Sequence, residues 1–223
     1  NGVKGIKYFT DLTAYGIQKN HLENIKKGLI KTIIVPDMIK LCQRKQSTVN
    51  DLLAFLNSLI EEGIGDVSTY AVNINFSEEE KRVRCNFITA VTKGILADGR
   101  YRWGKMGFLS RFLPFSYGYT NETIRKIKDM INNSNQDFFE KIELKIPKSP
   151  IDVKMDIKNI ELMEPKIDGI ANLMETYGFR LQRQTKVLLK ANALLNDRKE
   201  VTEEDVKKLH EIYEYVNLSF NKI

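Results

Sequence analysis

Asp37 is the residue whose type and position in this sequence most directly suggest chemistry. It follows the compact β-branched run Thr32-Ile33-Ile34-Val35-Pro36. A continuous apolar run of this length is typical of a strand buried on both faces of a parallel sheet. Parallel α/β proteins place their working groups at the carboxyl ends of such strands. A carboxylate there could hold Mg²⁺ directly or through water, or it could start a turn or cap a helix.

Several arginines stand where a guanidinium could bind phosphate. Arg111 lies in the segment Leu109-Ser110-Arg111-Phe112, and Arg180 and Arg183 open a predicted helix. A guanidinium is always charged and binds phosphate oxygens with two parallel hydrogen bonds. The alternatives are a surface arginine beside a core phenylalanine for Arg111 and a salt bridge on a helix face for Arg180.

A second basic group is interleaved with aromatic residues in the run Arg100-Tyr101-Arg102-Trp103-Gly104-Lys105. Arg102 and Lys105 could grip phosphates while the rings stack on bases. The same composition is typical of a subunit boundary, where Trp, Tyr and Arg are enriched. A solvated loop with one anchoring tryptophan is the third interpretation, and the sequence leaves all three open.

Composition limits the classes of function. The chain has 223 residues, 42% hydrophobic and 29% charged, with a net charge of +6, which is ordinary for a globular protein with a modest preference for polyanions. Cys42 and Cys85 lack metal-ligand spacing and are predicted to be buried free thiols in a reducing cytoplasm. His21 and His210 have no cluster around them, and no apolar stretch is long enough to span a membrane.

The pattern of elements predicts an α/β part over residues 1–117 and a mostly helical part over residues 118–223. The first part contains a strand that breaks into a loop over 5–17 and a buried strand over 31–37. An amphipathic helix over 46–62 follows, with Ser47 or Thr48 as its expected N-cap. In the second part, residues 139–156 alternate, carry two prolines and are predicted to be an extended insertion. Three helices follow, over about 157–176, 180–196 and 202–217, and the last begins with a capping box.

In its series of segments the chain resembles AAA+ ATPases of the helicase-related clade, which includes the minichromosome-maintenance helicases and the MoxR-type ATPases. The resemblance runs from about residue 5 to about residue 217. Its most specific part is the run Arg198-x-x-Val201-Thr202-x-x-Asp205-Val206 after an Ala-rich helix, and Ser110-Arg111-Phe112 comes next. It implies a parallel-sheet AAA+ core followed by a helical lid, with ATP and Mg²⁺ as ligands.

The resemblance also implies roles for individual residues. Asp37 would be the Walker B carboxylate that positions Mg²⁺, and Thr92 would stand at the sensor-1 position at the end of its strand. Arg111 would be the arginine finger that reaches the γ-phosphate held by a neighbouring subunit. Counting back from Val201-Thr202 favours Arg180 over Arg183 as the sensor-2 arginine of the lid.

A predicted hairpin at about 66–86 would match the family's pre-sensor hairpin, which points into a central pore. It is formed by predicted strands over 66–76 and 82–92, joined by a charged turn. In that position Lys81, Arg82 and Arg84 would contact nucleic-acid phosphates.

Two departures from the family pattern bear on catalysis. The 223 residues contain no G-x-x-x-x-G-K-[ST] loop, whose backbone N–H groups and lysine cradle phosphates. Since the family carries it upstream of the strand placed at residues 5–12, truncation is expected, and the chain as given should bind ATP poorly.

Met38 stands where the family has a glutamate base, and Asp11, at the end of the neighbouring predicted strand, is proposed as a substitute base or Mg²⁺ partner. A turn residue is the alternative for Asp11.

The sequence therefore predicts a subunit of a homo-oligomeric AAA+ ring, located in the cytoplasm, that uses ATP to remodel DNA or another nucleic acid as a helicase or loader. One alternative is a MoxR-like ATPase that remodels proteins. The other is a degenerate AAA+ module that no longer hydrolyses ATP and serves as a scaffold or binding module, which Met38 and the missing loop favour.

Overall fold

A computed structural model of the chain describes residues 4–68, 73–75, 82–116, 118–133, 149 and 151–216. The chain divides into two compact units, Asn1–Phe112 and Leu113–Ile223, close to the predicted boundary between residues 117 and 118. Each unit has a hydrophobic core of its own. The first is α/β and the second is helical in its described part.

A three-stranded parallel sheet organises the first unit, in the order β1-β2-β5. β1 spans Ile6–Tyr8, β2 spans Thr32–Val35 and β5 spans Asn86–Thr89. The predicted parallel strand over 31–37 is confirmed as β2, the central strand. One of its faces, that of Ile33 and Val35, is fully buried, whereas the other is only half-buried.

Helices pack around this sheet, and one of the two longest, α4 (Gln46–Asn57), follows the predicted apolar periodicity. α4 buries Val49, Leu52, Leu53 and Leu56, which is the spacing of one helix face. It continues into a π-helical turn, Ser58–Glu62, that ends at Gly63 with a φ of 80°, a backbone conformation that favours glycine. The helices of the unit are α1 (Ala14–Asn20), α2 (Leu22–Lys26), α3 (Ile39–Cys42), α4 (Gln46–Asn57) and α5 (Lys93–Lys105).

Helix starts account for two wrong predictions in this unit. The segment 5–17, predicted to be a strand that breaks into a loop, begins with β1 but continues into α1 where the loop was expected, because the Thr13 hydroxyl accepts the Gly16 N–H at 3.0 Å and caps that helix. The N-cap of α4 is Lys45, without a side-chain bond, and not Ser47 or Thr48 as the sequence suggested.

The polar stretch over 98–106 is helical and not a loop, because Trp103 anchors it in the core. Trp103 is 2% exposed, and Gly99 lies one turn earlier against its ring. A Cβ on Gly99 would stand 2.6 Å from the indole, so this turn of α5 needs glycine there.

The predicted hairpin at 66–86 is shorter than expected where it is described. β3 (Val67–Ser68) and β4 (Asn73–Ile74) pair antiparallel, so both arms fall within the first predicted strand. Ile64 and Val83 form an antiparallel bridge, after which the chain continues into β5. Lys81 lies outside the described residues.

The described part of the second unit contains helices whose core includes Leu189, Ala193 and Tyr213. The helix predicted over 157–176 is split in two, because Pro165 lacks an N–H and is accommodated in the first turn of a new helix. Most of the predicted insertion over 139–156 lies outside the described residues, and Lys154 bridges to Glu200. The helices are α6 (Asn121–Asn132), α7 (Ile157–Glu161), α8 (Glu164–Leu173), α9 (Phe179–Leu195) and α10 (Glu203–Tyr213).

Candidate active site at the carboxyl edge of the sheet

Asp37 lies just beyond the central strand, at the edge where all three strands end. One oxygen of its exposed carboxylate, Oδ1, accepts the N–H of Ile39 at 2.9 Å and so holds the first turn of α3. Among the described residues, the carboxylate has no other hydrogen bond and no ion pair. The side chain therefore caps a turn, as the alternative interpretation had it, and still has an oxygen that a cation could reach.

Met38 points away from this edge. Its side chain is 2% exposed and belongs to the core of the first unit. Its N–H donates to the carbonyl of Ala90 at 3.1 Å, which keeps the segments after β2 and β5 together. A buried thioether accepts no proton from water, so the position gives the site no general base.

Asp11 has a different partner from the one predicted for it. Its Oδ2 accepts from Nη2 of Arg44 at 2.6 Å, and both side chains are partly exposed. The sequence placed Asp11 beside Asp37 as a substitute base or Mg²⁺ partner. The ion pair with Arg44 uses one oxygen of this carboxylate, and the role of Asp11 as base or Mg²⁺ partner remains a prediction.

A cavity of about 280 Å³ opens beside this ion pair, at the end of β1. The rings of Phe9 and His21 meet edge to face at 4.9 Å in its wall. Burial lowers the pKa of His21, and the charge of Lys7 lowers it further, so this imidazole is neutral at neutral pH. The lining residues are Phe9, Asp11, Leu12, Thr13, Gly16, Ile17, Asn20, His21 and Arg44.

Thr92 does not end a strand as predicted. β5 stops at Thr89, and Thr92 is the exposed N-cap residue of α5, without a side-chain cap bond. The polar residue at the strand end is Thr89, whose hydroxyl donates to the carbonyl of Val35 at 2.8 Å. Sequence reasoning missed Thr89 because the β-branched run continues to Thr92 and hides the strand end.

Arg102 reaches from α5 to the start of α4. Its Nη1 donates to Oε1 of Gln46 at the start of α4. The pKa of the Cys42 thiol is raised, mainly by burial. The positive charge of Arg102 lowers this pKa and the negative charge of Asp37 raises it, so both charges act on the thiol. The half-buried Arg102 thus joins α4 to α5, which is a different task from the predicted phosphate contact. Lys105 remains exposed, with its Nζ 4.4 Å from the centre of the Tyr101 ring.

Arg111 is held inside its own unit. Its side chain is 8% exposed and lies 3.0 Å from a Glu61 carboxylate oxygen and 3.2 Å from a Glu62 oxygen. Nη1 also donates to the carbonyl of Gly107 at 2.6 Å. An arginine finger projects toward a neighbouring subunit, so that role remains a prediction that requires this ion pair to open.

The remaining predicted phosphate ligands that lie among the described residues are exposed. Arg82 and Arg84 flank Val83, which is buried in the bridge to Ile64, so the alternation of the strand sends both arginines to the solvent face. Arg180 and Arg183 are exposed near the start of α9 in the second unit.

Comparison with known proteins assigns no function to the chain, so a functional assignment depends on the residues described above. No protein-family model matches the chain, and no curated protein matches it significantly. The described residues contain no group of three or more His, Cys, Asp or Glu side chains arranged to hold a metal ion. None of the helices in the described part has the length and apolarity needed to cross a membrane.

Proposed function

We propose that the chain is part of a ring-forming AAA+ ATPase that couples ATP hydrolysis to the remodelling of nucleic acid. The observation that carries this proposal is the order of the parallel sheet. Apart from the β3–β4 hairpin, the strands β1, β2 and β5 follow one another along the chain, and they lie side by side in the sheet. Asp37 follows the central strand, β2, with its carboxylate exposed. This is the arrangement that the resemblance implies for a Walker B strand between its two neighbours.

Asp37 supplies a ligand that Mg²⁺ requires, whereas the chain lacks the loop that would bind the phosphates of ATP. Mg²⁺ keeps several waters and takes one or two carboxylates together with substrate phosphates, so a single exposed carboxylate suffices. Phosphates need a cradle of N–H groups and a lysine, and the 223 residues lack that loop. Asp37 would therefore hold the cation.

Hydrolysis would have to proceed without a base at position 38. Met38 is buried and Asp11 is bound by Arg44. Both observations favour the second candidate function, a degenerate AAA+ module that binds a nucleotide or a partner without turnover. The two candidates share the fold and the role of Asp37 in holding Mg²⁺, and they differ in turnover alone.

Steady-state ATP hydrolysis by the protein expressed from its complete gene tests the proposal. Asp37→Asn removes the charge that holds Mg²⁺ and should lower kcat at least about a hundredfold, because cation stabilisation of the transferring phosphoryl group is lost. Asp51→Asn, which neutralises an exposed carboxylate on α4, is the matched control and should keep wild-type turnover. Equal activity in all three proteins would refute the role of Asp37. Nucleotide binding without turnover in the wild type would establish the degenerate module instead.

A further inference from the structure

Two aromatic rings at the start of α9 are stacked on each other and almost fully exposed. Tyr177 is 88% exposed and Phe179 is 73% exposed, with ring centres 6.1 Å apart and planes inclined by 21°. Between them Gly178 has a φ of +76°, and a Cβ there would stand 3.3 Å from Ala171. The left-handed turn at this glycine therefore fixes the two rings side by side at the surface.

A basic helix face continues from these rings. The 17 residues of α9 contain four basic residues, Arg180, Arg183, Lys186 and Lys190, and no acidic residue. At about 100° per residue, Phe179, Arg183, Lys186 and Lys190 fall within an arc of roughly 60°. Of the buried residues of α9, Leu181 and Thr185 lie more than about 120° from the centre of this arc and Leu189 lies about 90° from it. Phe179, Arg183 and Lys186 are exposed and Lys190 is half-buried, and the exposed face ends before the buried Ala193.

The cations of this face are largely uncompensated. Arg183 and Lys186 form no ion pair with any described residue. Lys190 approaches Asp152 only to 3.8 Å, and that carboxylate is 95% exposed. Such a pair is weak in water, so the face keeps a positive potential along the helix.

We propose that the Tyr177–Phe179 pair and the basic face of α9 form a binding surface for single-stranded nucleic acid. Exposed rings stack on unpaired bases of any sequence, and a line of cations follows the phosphates. Tyr, Phe and Arg are also enriched at protein interfaces, but lysine is depleted there, and the two lysines of a helix without acidic residues favour a polyanion. The surface is distinct from the predicted hairpin contacts and stands without ATP hydrolysis.

Fluorescence anisotropy with labelled oligothymidylate and oligouridylate of roughly 12 nucleotides, in the range of single-strand site sizes, tests the surface in the absence of nucleotide. Tyr177→Ala with Phe179→Ala should weaken binding at least about fivefold for each ring, since stacking contributes about 1–3 kcal/mol per base. Tyr177→Trp keeps an aromatic ring at this position and should retain most of the affinity that Tyr177→Ala loses. The matched control, Tyr119→Ala with Tyr215→Ala, removes two other exposed rings of the same unit.

The basic face has a separate readout in the salt dependence. Arg183→Gln with Lys186→Gln should lower the slope of log affinity against log salt by about 0.7 for each phosphate that the variant no longer neutralises. Lys158→Gln with Lys207→Gln removes two exposed charges elsewhere in the unit and should leave the slope unchanged. Circular dichroism confirms that each variant is folded.

Three results would overturn the proposal: no oligonucleotide binding by the wild type, ring variants that bind like the wild type, or controls that weaken binding as much as the designed variants. Preference for one oligonucleotide identifies DNA or RNA as the ligand. Because Asp37→Asn should bind oligonucleotides normally, a failure of this surface and a failure of the proposed ATPase are distinguishable.

Discussion

The guanidinium of Arg111 is the most heavily bonded of the residues to which a catalytic role was given. Two carboxylates, those of Glu61 and Glu62, and the carbonyl of Gly107 surround it at 2.6–3.2 Å. Together they tie the end of the π-helical turn to the segment after α5. An arginine in this position stabilises the first unit whether or not it also serves a neighbouring subunit.

We therefore expect Arg111→Ala to destabilise the first unit by about 2 kcal/mol, because it leaves the partly buried carboxylate of Glu61 without its partner, whereas the exposed carboxylate of Glu62 is solvated. Urea denaturation followed by tryptophan fluorescence measures this, since Trp103 lies in the same core. Arg84→Ala, at an exposed arginine of the same unit, is the control and should lie within about 0.5 kcal/mol of wild type. If both variants unfolded at the same urea concentration, the ion-pair cluster would have no structural role.

Single residues were predictable from the sequence where their role is set by their neighbours in the chain. Asp37 follows β2 as expected, because a β-branched run followed by Pro-Asp specifies both the strand and its end. The ion pair of Asp11 with Arg44 was not predicted, because it spans 33 residues and no local pattern encodes it. Arg111 belongs to the same class, with partners 49 and 50 residues away in the sequence.

At the scale of elements, the start of α10 explains the run that most specifically carries the resemblance. Asp205 accepts from both terminal nitrogens of Arg198, at 2.6 and 2.8 Å, and from the N–H of Thr202 at 2.9 Å. Asn192 on α9 donates to it as well, at 2.6 Å. The predicted capping box is confirmed, and the motif joins α9, the loop and α10 around one buried carboxylate.

This carboxylate should make stability depend on pH. Burial alone would raise the pKa of Asp205, but the hydrogen bonds from Arg198, Thr202 and Asn192 outweigh it and hold the pKa below its usual value. The unfolded chain therefore binds the proton more readily. The contribution is fully present above the unfolded pKa of about 3.9 and is lost as pH falls through the lower folded value.

Asp205→Asn should accordingly be less stable than wild type by about 3 kcal/mol at pH 7, since it loses charge-assisted hydrogen bonds and part of the cap. The difference should shrink below about pH 4, where wild type loses the same charge. Urea midpoints between pH 7 and pH 3 measure it. Asp168→Asn, at an exposed carboxylate on α8, removes a charge without touching the cap. A gap that stayed constant down to pH 3 would contradict the assignment.

Elements were predictable where one periodicity covers the whole element. β2, α4 and α10 each have an uninterrupted apolar pattern and formed near the expected residues. α5 was missed because three glycines and a run of basic residues hide a helix that depends on one long-range interaction, the ring of Trp103 in the core. Its stability comes from tertiary packing, which propensity does not register.

At the scale of the whole molecule, the chain has two separate hydrophobic cores. Leu53 is fully buried in the core of the first unit, and Leu189 is fully buried in the core of the second. A unit with its own core could in principle fold alone. The change from strand-rich to helix-rich patterning indicated this division in the sequence, because it marks where one kind of layer gives way to another.

The substitutions Leu53→Ala and Leu189→Ala form a matched pair. Each shortens a helical leucine whose side chain is 0% exposed. Each should cost about 2–5 kcal/mol through lost burial and the cavity left behind. Hydrogen exchange followed by mass spectrometry should place the loss of protection in residues 1–112 for Leu53→Ala and in residues 113–223 for Leu189→Ala. Loss across both units from either substitution would mean that the chain unfolds as one cooperative body. Exposed Leu195→Ala, on the same helix as Leu189 but 59% exposed, should change exchange in neither unit, which separates the effect of the cavity from that of shortening a leucine.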